Sequence, residues 1–208
     1  MDAIDGIVLA AGRSRRMRRP KALLDADGAS FLERAVCTLR DAGCRTVFTV
    51  IATGDDEADA CAIAAGAIVV RNPDPDSQPI DSVRAGLQAT ADAEAVLILP
   101  VDLPLVQVDT VRQLIALARE RRPQLAVPVS DGEPGHPLLM ARPLFDDVLA
   151  NDLPDGLHTL LADHAADVLR VAVHDPGIHA DIDTPSEYER HFGRSPRAPD
   201  ATPRSEEA

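Results

Sequence analysis

Hydrophobic positions along this 208-residue chain follow two patterns: short unbroken aliphatic runs, and longer stretches where apolar residues recur every three or four positions. A run apolar at every position predicts a strand buried on both faces, and the longer period predicts an amphipathic helix. Gly6–Ala11 opens as such a strand, followed by a helix over Ser30–Gly43 and a strand over Thr46–Ile51. A helix over Asp56–Ala65 closed by Gly66, a strand over Ala67–Val70, a helix over Asp81–Ala91 and a strand over Ala95–Leu99 continue the alternation. Helix Val108–Arg121, strand Leu125–Val129 and a short strand Leu138–Met140 come next. Helical stretches near Leu144 and Leu157, the run Val168–Val173 and a helix starting at Thr184 complete the pattern. Ser30 with Glu33, and Thr184 with Glu187, have capping-box spacing, and Pro185 suits a first helical turn.

This alternation predicts an α/β fold: a Rossmann-like three-layer α/β/α sandwich around a mostly parallel sheet. In such sheets ligands sit beyond the carboxyl ends of the strands, so chemistry belongs in the segments that follow them. One domain is expected over residues 1–192. From Gly193 the chain turns to Arg, Ser, Pro, Asp and Glu with almost nothing apolar, and residues 193–208 are expected to form a disordered tail.

Composition narrows the possible partners. With 34 acidic and 21 basic residues the net charge is −13, which argues against nucleic acid and against an anionic membrane surface. The core must be aliphatic, since the chain has four Phe, one Tyr and no Trp. Cys37, Cys44 and Cys61 are too few and too scattered for a disulfide framework or a zinc site. No signal peptide and no apolar run of membrane-spanning length are visible, so a cytoplasmic protein is expected.

Basic residues are distributed unevenly. Twenty of the 21 are Arg, and the one lysine, Lys21, closes the dense cluster Arg13, Arg15, Arg16, Arg18, Arg19, Lys21 directly after the first strand. On charge alone this reads equally as a solvated turn. Its position after a strand, with Gly12 permitting close backbone approach, also fits an anion-binding loop. Arg offers forked donors to phosphate oxygens, and Lys offers a compact mobile charge. The spacing is neither the Rossmann glycine fingerprint nor a Walker A loop.

The stretch LAAGRSRRMRRPKALL, from Leu9 to Leu24, resembles the signature L-A-A-G-x-S-x-R-M-x-x-x-K of the MobA-like nucleotidyltransferases. Asp81–Gly86 (DSVRAG), Pro100–Pro104 (PVDLP) and Asp181–Pro185 (DIDTP) follow in that family's order. Gly135-His136-Pro137 is similar to a segment of its molybdenum cofactor cytidylyltransferase branch. The resemblance covers residues 5–192 and implies the nucleotide-diphospho-sugar transferase type of fold. It implies transfer of NMP from an NTP to a phosphorylated acceptor, with pyrophosphate released.

On this resemblance Leu9, Ala10, Ala11, Gly12, Arg16, Lys21 and Ser82 bind the nucleotide, and Arg16, Lys21 and Asp102 are the catalytic residues. Asp102 and Asp183 hold Mg²⁺, for which Mn²⁺ can substitute, and His136 contacts the acceptor. Read without the family, Asp102 and Asp183 are ordinary loop or capping residues and His136 an ordinary turn residue. Ala11, where guanylyltransferases carry a second Gly, implies CTP before GTP. The acceptor implied is the molybdopterin cofactor, with a transient contact to a molybdoenzyme or its chaperone. Arg18 replaces the Gly usual after the R-M pair, and Leu103 replaces a polar residue; the second change points toward a different acceptor. Sugar phosphates, alcohol phosphates and phospholactate, or nucleotide binding without turnover, are the alternatives.

Overall fold

In the computed structural model, which describes residues 1–12, 17, 20–72, 78–90, 92–150 and 152–198, the chain forms one eight-stranded sheet with helices on both faces. Its strands are β1 (Ile4–Leu9), β2 (Val47–Ala52), β3 (Ile68–Asn72), β4 (Ala95–Pro100), β5 (Leu125–Ser130), β6 (Glu133–Pro134), β7 (Leu138–Ala141) and β8 (Val168–Ala172). The helices are α1 (Phe31–Ala42), α2 (Asp56–Ala64), α3 (Pro79–Ala89), α4 (Val108–Arg121), α5 (Phe145–Ala150), α6 (Leu157–Asp163) and α7 (Pro185–Phe192). Strand order is β3-β2-β1-β4-β7-β5-β6, with β8 also paired to β5. β1, β2, β3 and β4 run parallel, as do β5 and β8, while β7 is antiparallel to both β4 and β5.

Two hydrophobic layers explain why the strands read as continuous apolar runs. Along β4, Ala95, Leu97 and Leu99 enter the layer that also holds residues of α1, α4 and α7; Val96 and Ile98 enter the opposite one, with residues of α3, α5 and α6. The central strand β4 is therefore apolar on both faces. The expected caps form: Ser30 Oγ accepts the Glu33 N–H at 3.0 Å, and Thr184 and Glu187 bond reciprocally. Gly43 closes α1 at φ 104°, a left-handed conformation that favours glycine.

Three features differ from the sequence expectation. Helix α3 starts two residues early, because Pro79 suits a first helical position and the Asp81 carboxylate accepts the Gln78 N–H at 2.9 Å. β6 was not foreseen, although Asp131-Gly132, with φ of 52° and 87°, joins paired Ser130 and Glu133 as a two-residue hairpin turn demands. The third concerns the stretch expected to be a disordered tail. Arg194 and Arg197 instead converge on the buried Asp25 carboxylate, at 2.7 and 3.4 Å, while residues 199–208 lie outside the described residues. Paired charges, not apolar burial, hold that stretch, so its composition gave no sign of it.

No helix among the described residues is long and apolar enough to cross a membrane. Burial pushes the Cys44 thiol up to about 12, which keeps it protonated and unreactive.

Candidate active site

The carboxyl ends of β1 and β4 lie side by side, and the Val101 N–H donates to the Leu9 carbonyl at 3.1 Å. The loop leaving β1 therefore faces the loop leaving β4, which carries Asp102. The Ile182 N–H in turn donates to the Asp102 carbonyl at 2.9 Å, bringing the segment before α7 to the same point. Three chain segments more than 80 residues apart in sequence thus meet at one spot.

Lys21 occupies the meeting point. A short 3₁₀ turn, Lys21–Leu23, carries it after Pro20, and its side chain is mostly buried. Its Nζ donates to Asp102 Oδ2 at 3.2 Å and to Asp183 Oδ1 in a closer contact. Asp183 directly precedes the N-cap of α7, and its own N–H donates to Glu187 at 2.9 Å, which fixes the backbone there.

Beside this cluster opens a small cleft. It is lined by the chain leaving β1 (Leu9, Ala10, Gly12), by Lys21 and its neighbours, by Val101 and Asp102 after β4, and by Asp55 after β2. Lys21 in its lining suits an anion, and Asp102 in the lining with Asp183 on the same ammonium suits a hard cation. Asp102 and Asp183 present carboxylate oxygens to the Lys21 ammonium, the donor type that Mg²⁺ or Mn²⁺ takes with phosphate and water completing the shell. No group of three or more His, Cys, Asp or Glu able to hold a metal occurs among the described residues, so two protein carboxylates are the set available.

Of the sequence-expected residues, the structure brings Leu9, Ala10, Gly12, Lys21 and Asp102 into the cleft walls, with Asp183 touching Lys21. Ala11 is not among the wall residues, and Arg16 lies outside the described residues. Ser82 is also absent from the walls: it is buried in the first turns of α3, and its hydroxyl accepts from Asn72 Nδ2 at 3.0 Å. Leu103 is 3% exposed, so its apolar character serves the core and not an acceptor surface. Asp55 was missed, because as the N-cap of α2 it looks like any capping residue; only its place in the loop after β2 hinted at more.

His136 reaches the same region from β7's side. Its N–H donates to the Ile178 carbonyl at 3.1 Å, and the Gly135 N–H donates to Pro128 at 2.9 Å. The imidazole Nδ1 is buried without a hydrogen-bond partner. Burial pulls the imidazole below its usual range, against the raising influence of the Asp102 charge and a bond with the Ile98 carbonyl. A neutral ring near Asp102 with one unmatched nitrogen is suited to meeting a ligand. Gly135 has no room for a side chain, since a Cβ would lie 2.5 Å from the Ile178 carbonyl oxygen. Gly135→Ala should therefore displace the loop at a cost of about 1–3 kcal/mol, read as a lower thermal midpoint.

A Rossmann-like sandwich whose mostly parallel sheet carries Lys21 between Asp102 and Asp183 at its strand ends belongs to the nucleotidyltransferase class of folds. Residues 6–168 match the MobA-like NTP transferase domain, and the chain belongs to that family, which places it among enzymes of the transferase type. It is similar to the molybdenum cofactor cytidylyltransferase of Escherichia coli (strain K12), with 26% identity over 90% of this chain and 95% of the relative. Similarity to the molybdenum cofactor guanylyltransferase of Xanthomonas euvesicatoria is 34% over 56% of each chain. The nicotine blue oxidoreductase of Paenarthrobacter nicotinovorans shares 30% identity over 73% of this chain and 79% of that one. Among solved structures, Rv0371c from Mycobacterium tuberculosis superposes with TM-score 0.81 at 25% identity, covering 92% of this chain and 99% of the other.

Proposed function

We propose that this enzyme transfers CMP from CTP to the terminal phosphate of a molybdopterin-type cofactor and releases pyrophosphate. The observation that carries the reading is Lys21 Nζ held between Asp102 and Asp183 at the edge of a cleft walled by Leu9, Ala10 and Gly12. An acceptor phosphate oxygen attacks the α-phosphorus, the new P–O bond forms, and the bond to the β-phosphate bridge breaks as pyrophosphate leaves. No side-chain nucleophile is required, so the protein's work is to position and to neutralise charge.

Lys21 pairs with the triphosphate oxygens, joined by Arg16 of the same loop. Asp102 and Asp183 would hold Mg²⁺, with Mn²⁺ as a substitute, and the ion would supply charge neutralisation at the reacting phosphates. His136, with its unmatched Nδ1, faces the acceptor. Ala11 and the similarity to a cytidylyltransferase over nearly the whole chain favour CTP. GTP is the alternative that the shorter match to a guanylyltransferase supports.

Thermal unfolding with Mg²⁺ and each of CTP, GTP, ATP and UTP tests the base. A nucleotide at about 100 times its dissociation constant stabilises by about 2.7 kcal/mol, roughly 5–10 °C for a chain of this size. A rise with CTP alone is expected, followed by pyrophosphate release when the pterin acceptor is added. A rise with GTP alone reassigns the base; no rise with any nucleotide, with and without the acceptor present, rejects the proposed reaction.

A further inference from the structure

We infer that Asp55 is a specificity-determining residue that receives the ribose hydroxyls of the bound nucleotide, a role that rests on the nucleotide site proposed above. β1 and β2 are adjacent parallel strands with Leu9 opposite Val50, and the Ala10 N–H donates to the Val50 carbonyl at 2.9 Å. The loops leaving them therefore emerge side by side: one carries the basic cluster, the other is Thr53-Gly54-Asp55. Asp55 lies in the wall of the same cleft as Leu9, Gly12 and Lys21.

One oxygen of its carboxylate is committed to structure: Oδ1 accepts the Ala58 N–H at 3.1 Å and caps α2. The other, Oδ2, has no partner among the described residues and remains able to accept. Asp55 does not join Asp102 and Asp183 in a metal cluster, since no group of three such side chains exists among the described residues. A carboxylate also repels phosphate. The portion of a nucleotide beside Asp55 is then a neutral donor, and the vicinal 2′- and 3′-hydroxyls offer two such donors side by side. The triphosphate would accordingly lie toward Lys21 and the sugar toward Asp55. In open α/β sheets ligands bind beyond the carboxyl ends of the strands, which is where the loops after β1 and β2 place Lys21 and Asp55.

Equilibrium binding of CTP and 2′-deoxy-CTP with Mg²⁺, which needs no acceptor, tests this on the full chain. The native protein should prefer CTP about tenfold, the scale of one hydrogen bond to a charged group. Asn and Ser cap helices about as well as Asp, so Asp55→Asn and Asp55→Ser should hold the thermal midpoint without nucleotide close to the native value. Both should bind CTP about tenfold more weakly, with deoxynucleotide affinity little changed, so that the preference collapses. Variants that keep the full preference overturn the inference, as does an equal loss for both nucleotides, which would indicate contact with the base or a disturbed loop. If GTP is the nucleotide that binds, the same ratio against 2′-deoxy-GTP decides the matter. If the native protein binds none of them, the nucleotide site and this inference fall together, an outcome distinct from unchanged discrimination in the variants.

Discussion

Replacing Lys21 by alanine should lower nucleotidyl transfer by about 10²–10³-fold, the scale seen when one donor to developing negative charge is removed. The side chain is the cation that Asp102 and Asp183 share, at 3.2 Å from the first and in closer contact with the second. Both carboxylates are mostly buried, so the ammonium partly offsets the cost of holding two negative charges together. Its removal has two separable consequences. Turnover falls because the triphosphate loses its mobile positive partner. Divalent cation binding without nucleotide should rise, because the proposed ion no longer competes with Nζ for the same oxygens. Thermal unfolding of the variant with Mn²⁺ or Mg²⁺ should therefore show a larger upward shift than the parent protein does. Lys21→Met, which keeps most of the aliphatic stem, should behave the same way and separates charge from packing. Equal metal responses in parent and variants would show that the two carboxylates are not the ion's seat. Near-native turnover would remove Lys21 from the chemistry.

What could be read from the sequence depended on how local the responsible interaction was. The strands of the two-layered core were legible because burial on both faces leaves an unbroken apolar run, as along Ala95–Leu99. Ends of α1 and α7 were legible because Ser30 with Glu33, and Thr184 with Glu187, bond within one turn. Orientation of β7 was not, because Leu138–Met140 is equally apolar whether it pairs parallel or antiparallel with β4. Asp102 and Lys21 stood out through a spacing that matches a family, which is information about chemistry more than about folding. Asp55 was hidden in a sound local role, since a capping carboxylate looks alike whether its second oxygen meets water or a cleft. Ser82 shows the reverse: the motif is present, but its buried hydroxyl accepts from Asn72 and lies outside the cleft lining. The partners of Asp25 lie 169 and 172 residues away, beyond any local pattern.

That long-range cluster carries the largest stability effect expected here. Asp25 is 2% exposed, and its carboxylate accepts from the Gly28 N–H at 2.6 Å, Arg194 at 2.7 Å and Arg197 at 3.4 Å. Its backbone is bound by the same region, for the Tyr188 hydroxyl donates to its carbonyl at 2.5 Å and its N–H donates to the Arg197 carbonyl at 2.7 Å. Helix α7 is consequently tied to the segment after the first strand at both ends: Asp183 meets Lys21 before it, and Arg194 meets Asp25 beyond it. Asp25→Ala leaves the Gly28 N–H and two guanidinium groups without their carboxylate, but all three retain contact with water, which softens the loss. A loss of about 2–3 kcal/mol is expected, or roughly 5–10 °C in the thermal midpoint. The same carboxylate governs part of the acid response. Burial alone would raise its pKa, yet hydrogen bonds from Gly28, Arg194 and Arg197 hold it below the usual carboxylate value of 3.8. A depressed folded-state pKa contributes stability that is complete above the unfolded value and is lost as pH falls through the folded one. The parent midpoint should thus drop more steeply below about pH 4 than that of Asp25→Asn, which keeps the shape and an acceptor for Gly28 but cannot titrate. Parallel acid profiles for the two would show that this clamp does not contribute to the acid limb, and a midpoint unchanged in Asp25→Ala would show that α7 is held by its aromatic packing against Phe31 instead.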